Sequence, residues 1–170
     1  MMNHSEIITA LDQNKNIFKA MFEGVSTEEI LFRPKPEKWC LLEIVCHLYD
    51  EEREDFRARL KHTLETPELP MPKIDPQGWV TERKYMERNF QKMVSDFLGE
   101  REQSVAWLKS LSSPSWKNIY HHPKAGELSA EMFLSNWLAH DYLHFRQITF
   151  NKYHYLSGNF STRFDYAGNW

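Results

Sequence analysis

The sequence is poor in the features that mark several large classes of protein. Only two of its 170 residues are cysteine, Cys40 and Cys46, and their spacing is not that of a C-x-x-C redox or zinc motif. We interpret both as reduced thiols, which argues against a disulfide framework and favours the cytoplasm. No apolar run approaches the roughly 20 residues of a membrane span, and the N-terminal segment has no signal-peptide pattern. We therefore expect a cytoplasmic protein with no membrane partner.

An excess of one charge sign and glycine-rich loops are also lacking. The chain has 21 Lys and Arg residues against 24 Asp and Glu residues, for a net charge of −3. Because phosphate binding needs a basic surface, this balance argues against a nucleic-acid partner. No glycine-rich loop precedes a helix, so the sequence offers no nucleotide or phosphate cradle.

Apolar residues instead recur at helical spacing in four segments, and prolines fall between them. The segments span residues 5–23, 41–64, 81–111 and 129–151. No stretch has the alternating pattern of a strand. We predict an all-α fold, in which one domain over residues 1–170 forms a four-helix bundle with long inter-helix loops. The aromatic tail at 152–170 is expected to be irregular and to fold back onto the bundle.

Three histidines are candidates for a metal site. His140 and His144 are four residues apart, so on a helix their imidazoles lie on one face and can reach a single ion. His47 lies at the edge of the apolar stripe of the second predicted helix. Any one of them alone is better explained as a half-buried packing residue. Together they lie on the flanks of two buried stripes, which meet in a groove of a bundle.

Two motifs resemble those of the DinB-like (YfiT-type) family of metal-dependent bundle proteins. Residues 39–48, WCLLEIVCHL, resemble the family's W-S-x-x-E-x-x-x-H-L, and residues 140–148, HDYLHFRQI, resemble its H-D-x-x-H-x-x-Q-I. The resemblance implies a four-helix bundle that often forms homodimers. It also implies that His47, His140 and His144 bind Zn²⁺, Ni²⁺ or a related ion and leave coordination positions open.

The chain departs from this pattern at Cys40, where the family has serine at the N-cap of a helix. A thiol is a poorer acceptor for the free backbone N–H groups of the first turn. Glu43 can still accept from the N-cap backbone as the second half of a capping box. Cys40 is seven residues from His47, about 10 Å along a helix, and too far to share its ion.

Acidic residues near the histidines are candidates for catalysis. Asp141 falls inside the apolar stripe of the fourth predicted helix, where it could orient a ligand, cap a neighbouring helix or pair with an arginine. Glu51 and Asp50 follow His47 by one turn and could orient it or act as general base, although a solvated charged face is the simpler interpretation. His121 and His122 lie in a Pro/Gly loop that could overhang the site, but a surface loop is favoured.

Three functions are compatible with these residues. The first is a transferase that acts with a low-molecular-weight thiol, as some DinB-like proteins resembling this chain are taken to do. The second is a metal-dependent hydrolase, in which the ion activates water. The third is a non-catalytic metal- or ligand-binding module induced under stress. A peptidase is not favoured, because Asp141 stands where the H-E-x-x-H motif has its glutamate base. The substrate is expected to be a small molecule.

Overall fold

The computed structural model describes residues 2–168, which form a helical bundle with one small hairpin. The α-helices are α1 (His4–Phe22), α2 (Thr27–Leu31), α3 (Leu41–Asp50), α4 (Ala58–Glu65), α5 (Pro76–Glu82), α6 (Phe90–Ser110) and α7 (Ala130–Asn159). A π-helix, Glu51–Arg57, joins α3 to α4, and 3₁₀ turns span Tyr85–Glu87 and Asp165–Ala167. Strands β1 (Ile119–His122) and β2 (Gly126–Ser129) pair antiparallel.

Short polar side chains begin the long helices. The side chain of Asn3 accepts from the N–H of Glu6 at the start of α1, and Glu6 accepts from the N–H of Asn3 in return. Asn89 caps α6 and Ser129 caps α7 in the same way. Each cap satisfies backbone donors that have no partner within their own helix, which fixes where the helix starts.

Four long helical segments form the predicted bundle. Helix α1 packs against α6 and α7, and α3 packs against the same two helices. The order around the bundle is therefore α1, α6, α3, α7, with α3 and α7 as neighbours. The predicted all-α, four-helix-bundle fold is confirmed.

A polar layer divides the apolar core into two clusters. One cluster lies at the end that contains the N-terminus of α3 and includes Phe18, Leu41 and Phe97. The other lies towards the opposite end and includes Leu11 and Leu134. Each of the four long segments contributes one buried polar residue between its parts of the two clusters. These residues are Asn14, Glu52, Arg101 and Asp141.

The prediction of a third helix over residues 81–111 is wrong about where that helix starts. Residues 76–82 form the separate helix α5, with Pro76 in its first turn, where a proline costs no hydrogen bond. Lys84 then takes a left-handed conformation with φ of 51°, and α6 starts only at Phe90. The buried Tyr85 anchors this break, because its hydroxyl donates to Asp50 at 2.7 Å.

Two further expectations about local structure are wrong. The hairpin was not foreseen, because strands of four residues are too short to show a clear alternation. Helix α7 continues eight residues past the predicted end at 151, and the irregular tail starts only at Phe160. In this tail Phe164 contacts the ring of Tyr153, whereas Phe160 and Tyr166 are exposed rather than folded onto the bundle. The last two residues of the predicted tail lie outside the described residues.

The second predicted helix, 41–64, is continuous but not uniformly α-helical. Its middle is the π-helix, in which a wider turn shifts the residues that follow relative to the core. Within residues 2–168, no helix combines the length and the apolar composition that crossing a bilayer requires.

Candidate metal centre

The three candidate ligands come from the neighbouring helices α3 and α7. At the start of α3, the carboxylate of Glu43 accepts from the N–H of Cys40 at 3.0 Å, as the sequence predicted. His47 lies in the last turn of α3. His140 and His144 lie one turn apart in the middle of α7. The groove between α3 and α7 therefore holds all three imidazoles.

The imidazoles point their Nε2 atoms at one another. The Nε2 of His140 lies 3.4 Å from that of His47 and 3.0 Å from that of His144. One candidate ligand atom from each of the three residues lies within 4.8 Å of the others. Two nitrogens bound to one ion at about 2.0–2.1 Å are about 3.3 Å apart at a tetrahedral angle and about 2.9 Å apart at a right angle. The observed separations fit this range, so the cluster can supply three ligands to one divalent ion.

The surroundings keep these imidazoles neutral, which is the form that binds a metal. His47 and His144 are each 6% exposed, and His140 is partly exposed. Burial, and then the neighbouring His144, lowers the pKa of His47 to about 3. Burial lowers the pKa of His144 to about 4. Burial and the two neighbouring imidazoles hold the pKa of His140 well below its usual value.

Aromatic rings and one carboxyl group surround the cluster. The ring of Trp39 lies 4.9 Å from the ring of His47, and Phe56 lies 4.9 Å from His140. The Nδ1 of His47 is buried without a hydrogen bond, 4.0 Å from an equally unpartnered oxygen of Glu51. A small movement would let the Nδ1–H of His47 donate to Glu51, which would leave its Nε2 free to bind an ion.

The interpretation of Glu51 and Asp50 as a solvated charged face is wrong, because both are buried. Burial and the Asp55 carboxyl raise the pKa of Glu51 to about 9, so it holds a proton at neutral pH in the metal-free protein. A role for Glu51 as general base stays a prediction. Asp50 faces the other way, where it accepts from Tyr85 and Arg83 at 2.7 and 2.8 Å.

Asp141 takes part in a buried network beneath the cluster rather than in the cluster itself. Its carboxylate accepts two hydrogen bonds from Arg101, at 2.7 and 2.8 Å, and one from Asn14 at 2.9 Å. Arg101 also donates twice to Glu52, which accepts from the indole of Trp137. Of the roles that the sequence allowed, the structure shows the arginine pair. The network links all four long segments, and its Asp141 directly follows His140 and precedes His144 by about one turn.

The remaining residues singled out in the sequence lie elsewhere. His121 and His122 belong to the hairpin strand β1, and His121 is exposed beside Glu127. His122 accepts from the backbone of Lys124 and Ala125, so it stabilises the turn. Cys40 and Cys46 are buried free thiols.

A cavity of about 400 Å³ opens beside His144. Its lining consists of His144, Lys38, Leu143, Arg146, Gln147 and Phe150. A volume in this range is typical of a small-molecule site. His144 therefore belongs both to the histidine cluster and to the wall of this cavity.

Sequence reasoning missed Arg101 and the two cations of the cavity. Arg101 follows Phe97 by four residues and precedes Val105 by four, so its place in the apolar stripe of α6 was a signal of burial. Lys38 and Arg146 carry no comparable signal, because lone basic residues on loops and helix faces are common.

Comparison with known proteins agrees with this architecture. The sequence model of the DinB superfamily matches residues 10–148. YfiT from Bacillus subtilis, described as a probable metal-dependent hydrolase with an unusual four-helix bundle topology, superposes with a TM-score of 0.77. The match covers 87% of this chain and 85% of YfiT at 17% identity, so it shows a shared fold. A search of curated proteins finds no match. The family match spans most of the chain, which therefore belongs to the DinB superfamily.

Proposed function

We propose that this protein is a metal-dependent enzyme that hydrolyses a small-molecule substrate at the three-histidine cluster. The observation that carries the proposal is the convergence of three imidazoles, whose Nε2 atoms lie 3.4 Å (His47–His140) and 3.0 Å (His140–His144) apart, as binding to one ion requires. The description of YfiT as a metal-dependent hydrolase supports the same class of reaction.

The chain's own residues hold and orient such an ion. His47, His140 and His144 would supply three neutral ligands, and Glu51, 4.0 Å from the Nδ1 of His47, would orient that ring after a small movement. Three imidazoles would leave a bound divalent ion with open positions for water and substrate, and such an ion would lower the pKa of bound water towards neutrality. Zn²⁺ and Ni²⁺ are the proposed ions, since both accept imidazole ligands.

Transfer to a low-molecular-weight thiol is the second candidate reaction. The protein's own thiols are unsuited to it, because both are buried, and burial followed by the charge of Asp50 raises the pKa of Cys46 to about 12. The thiol would therefore have to come from solution, and the cavity beside His144 has room for a small molecule. Homodimer formation, which the family resemblance implies, stays a prediction.

A turnover experiment with and without thiol separates the candidate functions. Zn²⁺- or Ni²⁺-loaded protein is incubated with a panel of small esters, amides and alkyl halides, in buffer alone and with a small thiol. Hydrolysis predicts turnover in buffer alone, which the His144→Ala variant loses and the exposed control His121→Ala retains. If turnover requires the thiol, the proposed function is thiol transfer and not hydrolysis. Metal binding without turnover in either condition would favour a binding module.

A further inference from the structure

We propose that the cavity beside His144 selects substrates that carry a negative charge next to an apolar group, with Lys38 and Arg146 as the anion-binding residues. The inference rests on the proposed function, in that the bound molecule reaches the histidine cluster through this cavity. It goes further by assigning a substrate class and two recognition residues.

The first argument is that both cations lack partners. Among residues 2–168, no acidic side chain forms an ion pair with Lys38 or Arg146, and neither side chain donates a hydrogen bond. The six lining residues include these two cations and no acidic residue, so their formal charge is +2. Unpaired cations in a concave, partly apolar surface raise the local concentration of anions.

A second cavity differs in that carboxylates pair with most of its basic residues. It has a volume of about 370 Å³ and lies between α3 and α6. Two of its three arginines are neutralised, because Arg83 donates to Asp50 and Glu54 at 2.8 Å and Arg53 donates to the same two carboxylates. Within the described residues 2–168, no carboxylate neutralises the basic groups beside His144 in this way, which leaves them available to a ligand.

The second argument is the apolar side of the same cavity. Leu143 is 53% exposed although it lies on a helix that packs against the core, and Phe150 lines the cavity two turns further along. Leu143 and Arg146 are three residues apart, and Phe150 follows Arg146 by four, so all three share one face of α7. A ligand bound there meets a cation and apolar side chains together. An anion with a short hydrocarbon group matches both.

The test uses metal-free protein, so that its outcome does not depend on the ion. Hexanoate and hexyl phosphate are titrated against ¹⁵N-labelled protein at low salt, beside the uncharged hexanamide and the cationic hexylamine. We expect at least one anion to bind about fivefold or more tightly than hexanamide, since two exposed charge pairs have about this effect. The shifted amide signals should include those of residues 143–150. Binding should weaken at 0.5 M NaCl because salt screens exposed charges.

Variants identify the residues responsible. The Lys38→Ala/Arg146→Ala double variant should bind the anion about fivefold more weakly and hexanamide unchanged. Lys61→Ala/Lys124→Ala, which removes two exposed charges elsewhere, is the matched control and should bind as wild type does. Equal binding of anions and hexanamide, or undiminished anion binding by the double variant, would overturn the inference. The anion-binding test uses neither metal nor turnover, so a failure of the metal-dependent hydrolase proposal would not change its outcome. The two proposals can therefore be contradicted independently.

Discussion

At the scale of single residues, Arg101 lies 1% exposed between the carboxylates of Glu52 and Asp141 and donates to both. Arg101→Met should lower the free energy of unfolding by about 3–5 kcal/mol, because two carboxylates would stay buried without their cation. Urea denaturation measures this loss. Arg163→Ala, which removes an exposed arginine of the tail, is the control and should change stability by less than about 0.5 kcal/mol.

A second set of variants separates charge from packing at Arg101. Adding Glu52→Gln and Asp141→Asn to Arg101→Met removes the unpaired charges, and we expect this triple variant to be more stable than Arg101→Met alone. A loss below about 1 kcal/mol in Arg101→Met would show that the network does not hold the four segments together.

The two thiols should be unreactive while the protein is folded. Cys40 and Cys46 are buried, and burial raises the pKa of Cys46 from 9.0 to about 12. At pH 8 we expect Ellman's reagent to modify no thiol in the native protein and two per chain in denaturant. The raised pKa of Cys46 stabilises the fold below pH 9, and this contribution is lost as the pH rises from about 9 to about 12. Rapid reaction of a native thiol at pH 8 would contradict the structure.

At the scale of elements, the N-terminus of α3 lacks a strong cap. The Glu43 carboxylate accepts from the backbone N–H of Cys40 at 3.0 Å, and the Cys40 sulfur takes the reciprocal place towards the N–H of Glu43. Sulfur is a weak acceptor, and the same thiol also contacts Met86 Sδ at 3.7 Å. Cys40→Ser should raise the free energy of unfolding by about 0.5–1 kcal/mol, because a hydroxyl accepts well from the first turn. Thermal and urea denaturation would detect the change.

Cys46→Ser is the matched control for the cap. Cys46 is equally buried but lies in the interior of α3, where a hydroxyl has no free N–H to accept from. The Cys46→Ser variant should be less stable than wild type, because it buries a polar hydroxyl at a position that offers no free backbone N–H. A loss of stability in both variants would show that the thiol of Cys40 is needed for packing rather than being a poor cap.

Helix ends could be predicted where a glycine or a capping residue marks them in the local sequence, and not where a long-range contact sets them. Gly24, with φ of +70°, follows α1 closely, and Ser129, where the fourth predicted segment begins, caps α7. The start of α6 was missed because the contact of Tyr85 with Asp50, made across the fold, interrupts a stretch that is helical by pattern. The π-helix at Glu51–Arg57 was missed because one wider turn leaves the apolar spacing almost unchanged.

At the scale of the whole molecule, the sequence predicted the bundle because each long segment has its own apolar stripe. It could not predict the polar layer, because the partners in that layer are far apart in the chain. Asn14 and Asp141 are 127 residues apart, and Arg101 and Glu52 are 49 apart. The side-chain cluster of His47, His140 and His144 could be predicted because two of its members share a helix face and the family motifs supplied the third.

The metal content of the protein tests the central claim most directly. Untagged protein, exposed to Zn²⁺ or Ni²⁺ and then dialysed, is analysed by mass spectrometry beside His47→Ala, His144→Ala and the exposed control His121→Ala. We predict about one ion per chain in wild type and in His121→Ala, and a loss of that ion in the other two variants. Wild type that holds no ion, or variants that hold as much as wild type, would contradict the three-histidine metal centre.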